Sequence, residues 1–296
     1  MNTWSAIKKY KHCYLWISPF YILFGIFSVA PAIYGLMISF TNYSGFGAFK
    51  SVGFANYEKL FRDALFWKSL GNTAILWLLI VPARTFLALL IASALNSRRL
   101  IGRKIYPVVV LLPYVTAVVV VASVFRILFA TEGGLINTLL NQWLGIAPVN
   151  WLDSVTWSKT SVALMNIWRM TGYFSLVMLA GMQKISSSIN EAAELDGAGA
   201  IKKFFHITLP LLSPEIFFVA LMSTIWIFQN IGDVMVLTGG GPLNSSLNLV
   251  LYIYRNAYEF SKVGYASAMS YILFLILMGL SAFSVRGHYR GKEKAQ

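Results

Sequence analysis

The sequence predicts an all-α polytopic membrane protein with six transmembrane helices, and three observations carry that class. Composition is the first: 57% of the 296 residues are hydrophobic, only 12% are charged, and the mean hydropathy is +0.66. A soluble domain carries about 25% charged residues, so this chain is built for a solvent other than water. Length is the second, because several apolar runs reach the ~20 residues a helix needs to cross a bilayer. Charge placement is the third. With the N-terminus inside, Lys and Arg on the inner segments outnumber those on the outer loops by about two to one, as the positive-inside rule requires.

Taken in order, residues 1–13 are polar and basic (Lys8, Lys9, Lys11) and lead into an apolar run over 14–40. That run is too long for a signal-peptide core and lacks a small-residue cleavage site, so it reads as a retained first helix. Residues 41–71 read as a mixed outer loop with Gly45, Gly47 and Gly53. The second span covers 72–95, and Arg98, Arg99, Arg103 and Lys104 follow in a tight basic turn. A third span over 105–129 carries Pro107 and Pro113 near its start; membrane helices tolerate proline where neighbours satisfy the freed carbonyls. The fourth span is 161–182, the fifth 210–231 and the sixth 266–285, with a polar stretch over 183–209 and a basic tail. This map puts both termini and the 183–209 stretch in the cytoplasm. It divides the chain into 1–69 (tail, first helix and outer loop) and a core of 70–296. No internal repeat is visible.

Several function classes fall away. The net charge of +13 is largely what this topology gathers at the inner face, so nucleic-acid binding need not be invoked. Cys13 is the single cysteine and His12, His206 and His288 are scattered, which argues against a disulfide framework or a metal site. No Gly-x(4)-Gly-Lys-Ser/Thr phosphate loop occurs, and Gly239-Gly240-Gly241-Pro242 lacks the lysine. Without a serine–histidine or paired-carboxylate set either, this chain is not expected to be an enzyme.

The polar stretch is the informative part. Ser188 with Glu191 three residues on reads as a capping box, which predicts a helix start. Glu191 and Glu194 early with Lys202 and Lys203 late suit a helix dipole. Gly197 and Gly199 predict two short helices with a bend. Pattern alone describes an ordinary solvated loop helix. The specific residues say more: Glu191-Ala192-Ala193, Asp196-Gly197-Ala198, Phe204, Ile207, Leu209 and Pro210 closely resemble the EAA loop of binding-protein-dependent ABC importer permeases. The spacing looks like the carbohydrate branch, the maltose, lactose and glycerol-phosphate type. Ile201 and Lys202 depart from it, standing where the family often has an aromatic and a glutamine.

The resemblance extends over most of 70–285. Gly133-Gly134-Leu135-Ile136-Asn137, Asn150-Trp151-Leu152, Thr238-Gly239-Gly240-Gly241-Pro242, Tyr252-Ile253-Tyr254 and Gly264-Tyr265-Ala266-Ser267-Ala268 are similar to its other signatures. It implies a type I ABC importer permease with a cytoplasmic coupling helix, in a bacterial or archaeal cytoplasmic membrane. The implied assembly has a second permease subunit, two ATP-binding subunits and an extracytoplasmic solute-binding protein, and imports a sugar. ATP and Mg would be bound by the ATPase subunits, leaving this chain without a cofactor. Glu191, Ala192, Ala193, Asp196, Gly197 and Ala198 would form the contact with the ATPase, where a helix transmits a rigid-body push.

Polar residues within the spans are the candidates for a substrate cavity. Asn166, Arg169 and Tyr173 share one helical face, Ser223, Trp226, Asn230 and Asp233 a second, and Ser267, Ser270 and Tyr271 a third. A lipid-facing arginine costs about 2.5–3.5 kcal/mol on insertion scales, so Arg84 and Arg169 should face protein or water. For each residue alone, a helix–helix hydrogen bond is as good a reading as cavity lining. An ion-coupled secondary transporter of a polar solute is the rival function. Such carriers need an acid deep in a span, whereas Glu132 and Asp233 fall at predicted span ends. Ile231-Gly232 stands where the family commonly has Phe-Asp. With Arg84, Arg126 and Arg169, that leaves both a neutral oligosaccharide and an acidic sugar such as a uronate open.

Overall fold

Lipid offers a backbone no hydrogen bonds, so an apolar run must satisfy its amides internally, and helices do this within one segment. A computed structural model describes residues 10–97, 100, 102 and 105–293, and these are helical apart from loops and one isolated bridge between Thr41 and Ser51. Lys8, Lys9 and the basic turn of Arg98, Arg99, Arg103 and Lys104 lie outside the described residues. Among those described, four helices are long and apolar enough to cross a membrane: His12–Ser39, Ala64–Asn96, Ser158–Gln183 and Val263–Gly287. Two bent pairs, Tyr106–Val115 with Val118–Leu128 and Ala200–Leu211 with Ser213–Gln229, raise the number to six if each pair is one span.

The chain forms two compact units, Met1–Asp63 with Ile253–Phe274, and Ala64–Tyr252 with Leu275–Gln296. In the first, α1 (Lys11–Phe24) and α2 (Ala30–Ser39) run together through a π turn at Gly25–Val29. Its apolar side chains are bare, Trp16 at 84% and Phe27 at 73% exposure, as a lipid-facing helix requires. The loop expected over 41–71 is instead partly helical. A short α3 (Ala55–Arg62) carries Glu58 in its first turn and Lys59 and Arg62 in its last, in accord with the helix dipole. It buries Leu60, and the preceding loop is fixed by Asn56, whose amide donates to the carbonyls of Ser39 and Thr41, both at 2.8 Å. Sequence reading missed α3 because its charges mask a single buried face.

In the second unit, α4 (Ala64–Asn96) starts well before the predicted 72. The added turns bury Phe66 and Ser69 on one face while Trp67 and Lys68 stay exposed, an amphipathic extension that a hydropathy count does not register. Further along, Ala88 and Ala92 meet Phe174, Met178 and Met182 of α8 (Ser158–Gln183). Small residues let two membrane helices approach, and association there comes from van der Waals packing because lipid supplies no hydrophobic drive. Between them come α5 (Tyr106–Val115), α6 (Val118–Leu128) and α7 (Leu135–Leu144). The third predicted span is thus broken, with a 93° bend where Thr116 and Ala117 turn extended at ψ 136° and 134°. Pro113, three residues before the break, cannot donate to the preceding turn, which weakens the helix there.

The 183–209 stretch forms α9 (Ser187–Leu195) and α10 (Ala200–Lys203), the latter continuing through a π turn into α11 (Leu209–Leu211). The fifth predicted span begins after a 64° bend as α12 (Ser213–Gln229), with Pro214 in its first turn, where a missing amide proton costs nothing. It ends earlier than expected, at Gln229; Asn230 is extended and α13 (Gly232–Leu237) is a separate short helix. A last pair, α14 (Leu249–Tyr254) and α15 (Val263–Glu293), completes the chain.

Candidate functional site

Three helices deliver polar side chains to one buried cluster in the second unit. Asn166 and Arg169, one turn apart on α8, both reach Asp233 in the first turn of α13. The Arg169 Nη2 donates to Asp233 Oδ1 at 2.9 Å, while Asp233 Oδ2 accepts from the amides of Asn166 and Asn230, the latter at 2.7 Å. Asn230 Oδ1 in turn accepts the Asp233 backbone N–H at 3.1 Å. Arg84 of α4 is fully buried and donates to Asn166 Oδ1 at 3.0 Å and to the Ser223 carbonyl at 3.3 Å, with its guanidinium 4.8 Å from the Phe174 ring centre. Asn248 donates to the Asn230 carbonyl, which the end of α12 leaves without a helical partner.

The chemistry of this cluster follows from its count of charges. A buried ion is costly unless paired and hydrogen-bonded, and Asp233, at 1% exposure, has three side-chain donors. Arg169 pairs directly with this carboxylate and Arg84 lies one hydrogen bond further off, through Asn166, so the set of Arg84, Arg169 and Asp233 carries one positive charge in excess. Arg84 Nε, Arg169 Nε and Ser223 Oγ are buried without hydrogen-bond partners. Asn166, Asn230, Asp233 and Asn248 border a cavity of about 10 Å³, room for a single water.

One turn beyond Arg169 on the same face, Tyr173 stacks on Tyr114 of α5 at 4.8 Å and lies 5.4 Å from Trp226 of α12. All three rings are half-buried and pack against the core that α4 and α8 share. The first two predicted sets therefore come together, though not through a continuous face on α12. Because α12 breaks at Asn230, Asp233 meets Ser223's helix across a turn rather than along it. Ser267, Ser270 and Tyr271 belong to the other unit, where Ser270 donates to the Ala266 carbonyl and Tyr271 to that of Ala32. Asp233 lies past the end of its span, as its sequence position suggested, yet it is buried. Asn248 and Tyr114 escaped sequence reading, since a loop asparagine and one more aromatic in an aromatic-rich chain carry no distinguishing pattern.

The family-like loops are fixed by side-chain bonds of their own. Asn137 donates to the carbonyls of Thr131 and Val149 at 3.2 and 2.9 Å, and its Oδ1 accepts from the Val149 amide and the Trp151 indole at 3.0 and 2.9 Å. The glycine-rich loop is clamped by Asn72, whose amide donates to the carbonyls of Asn244 and Leu247 at 3.0 and 2.9 Å. Arg126 caps α13 by donating to the carbonyls of Val236 and Leu237, the C-terminal end where a cation is favourable.

The stretch over 183–209 is an exposed two-helix bend. Its cap differs from the expected box: Ser186 is the N-cap, its Oγ accepting from the Ser188 amide at 3.3 Å, and Glu191 lies exposed inside α9. The bend itself is a Schellman motif. The Ala198 amide donates to the Ala193 carbonyl at 2.9 Å and the Gly197 amide to that of Glu194 at 3.0 Å, with Gly197 at φ +73°. Lys203 pairs with Glu194 across the bend. Glu191, Ala192, Asp196 and Gly197 are exposed, Ala198 is half-buried and Ala193 is buried. Beside them Ile201 and Phe205 line an open groove with Gly199, Ala200, Lys202 and His206.

The chain has relatives among known proteins. A family described as binding-protein-dependent transport system inner membrane component matches residues 84–292. The lactose transport system permease protein LacF of Rhizobium radiobacter is 34% identical over 283 residues, covering 94% of each chain. The arabinooligosaccharides transport system permease protein AraP of Bacillus subtilis is 33% identical over 285 residues, 94% of this chain and 90% of that one. Among solved structures, a bacterial ABC transporter involved in the import of the acidic polysaccharide alginate superposes with a TM-score of 0.80 at 25% identity, covering 98% of this chain and 99% of that one.

Proposed function

This chain belongs to the family of binding-protein-dependent transport system inner membrane components, and we propose that it is the permease subunit of an ATP-driven importer of a sugar or oligosaccharide. The observation that carries this is similarity along nearly the whole chain to permeases named for lactose and arabinooligosaccharides. In this reading each bent helix pair is one span, giving six, with both termini and the 183–209 stretch in the cytoplasm. The partners are a second permease subunit, two ATP-binding subunits that hold ATP and Mg, and an extracytoplasmic solute-binding protein. Hydrolysis belongs to those ATP-binding subunits.

The exposed bend is the coupling element. Glu191, Ala192, Asp196 and Gly197 lie open on one stretch, and the Schellman geometry fixes the angle between α9 and α10, so a push on one reaches the other. Ala193 and Ala198 supply the two ends of the bond that closes the motif. Asn166, Arg169, Tyr173, Trp226, Asn230 and Asp233 form the substrate path in the second unit, and Ser267, Ser270 and Tyr271 of the sixth span are the candidates for substrate contact within the first. A cation-coupled carrier would need Asp233 free to take up and release an ion. Its oxygens are instead occupied by Asn166, Asn230 and Arg169, which favours the ATP-driven reading.

Reconstitution tests it. Liposomes holding this chain with its partner permease, ATPase and binding protein should accumulate the binding protein's sugar only with ATP inside. Uptake driven by an ion gradient in liposomes holding this chain alone would overturn the proposal.

A further inference from the structure

We propose that Arg169 determines specificity for an anionic saccharide, taking the carboxylate of a uronate residue in place of Asp233. This rests on the sugar-importer reading and narrows its substrate class. Arg169 is the member of the buried cluster that reaches outward: its side chain is 15% exposed against 2% for Asp233, while Arg84 is sealed. It gives Asp233 a single arm, and its Nε has no partner. A guanidinium used this way retains donors in the planar fork that matches a carboxylate.

The surroundings suit the same ligand. Arg84 cannot reach a substrate, but it leaves the cluster one positive charge in excess, in a setting where buried charge demands a counter-ion. A neutral sugar supplies only hydroxyls; a uronate supplies the missing charge. Tyr173, one turn away on α8, stacks with Tyr114 and lies beside Trp226, placing a ring platform next to the cation. Asp233 fills the anion position in this conformation, its Oδ1 lying 2.9 Å from the Arg169 Nη2. Exchange leaves Asp233 provided for, because Asn166 and Asn230 still donate to its Oδ2 when Arg169 turns to the ligand.

The test is equilibrium binding to the detergent-purified assembly of both permeases with the ATPase subunits. The probes are trigalacturonate and its carboxyl-reduced neutral counterpart. Wild type should prefer the acidic form about ten-fold or more, the scale of one charge-assisted hydrogen bond. Arg169→Gln should abolish the preference, and Arg169→Lys should retain part of it by keeping charge without the fork. The double variant Arg169→Gln/Asp233→Asn removes the unpaired carboxylate, so its loss of preference is not a folding effect. Equal affinity for both probes in wild type, or a preference that survives in the double variant, overturns the assignment while leaving the sugar-importer reading intact. An assembly that binds neither probe and carries a non-saccharide solute overturns both.

Discussion

Gly197 offers the sharpest test of how the exposed bend works. A Cβ added there meets nothing within 4 Å, so a side chain would not collide with its surroundings. The constraint is the backbone: φ is +73°, the left-handed region, and the residue closes the motif that ends α9. Forcing an ordinary L-residue there costs about 1–2 kcal/mol, and a β-branched residue is the worst case. Asparagine visits the region readily and should cost less. A cost of one or two kcal/mol shifts a two-state population by a factor of about 5–30. The bend should therefore loosen in the order Gly197→Asn, Gly197→Ala, Gly197→Val, with insertion in the membrane unaffected because the stretch is exposed. The assay is co-purification of the ATPase subunit from solubilised membranes, paired with sugar uptake at matched expression. Asparagine as harmful as valine would refute the backbone argument and point to a side-chain clash. If all three kept wild-type attachment and uptake, the bend would be only a connection.

Three further outcomes follow from the same geometry. On a Cys13→Ser background, needed because Cys13 is free and exposed, cysteines at Ser51 and Asn244 should label from outside and those at Ser97 and Ser187 should not; reversed labelling sinks the topology. Gly172→Val should lower the melting temperature of the detergent-purified assembly, since a Cβ at Gly172 would lie 1.8 Å from the Val110 carbonyl oxygen and overpacking costs about 1–3 kcal/mol; an unchanged melting temperature means α5 does not press on α8. Arg84→Met should destabilise the fold by about 1–3 kcal/mol, because the acceptors on Asn166 and Ser223 lose their donor in a buried site; stability at the wild-type level in the same melt would show those bonds to be dispensable.

The helical class and the family-like bend were legible in the chain itself, for a physical reason. Both depend on local chemistry: apolar length against bilayer thickness for the spans, and an Asp-Gly pair at a helix end for the bend. The two short helices with a bend between them are what Gly197 and Gly199 predicted, while the left-handed φ at Gly197 came only with the structure. The helix start was misread by two residues, since Ser186, Ser187 and Ser188 are all good caps and only the fold decides which hydroxyl meets an amide. The extra turns of α4 and the whole of α3 were hidden because amphipathic helices at a span's edge carry charge that reads as loop. Sequence periodicity put Asn166 and Arg169 on one face of α8. The break at Asn230, and with it the meeting of Asp233, Arg84 and those two residues, was fixed by tertiary structure alone. Arg84 and Asp233 are far apart in the chain, and only the packing of α4, α8 and α13 links them through Asn166, because a buried charge must find its partners wherever the fold supplies them.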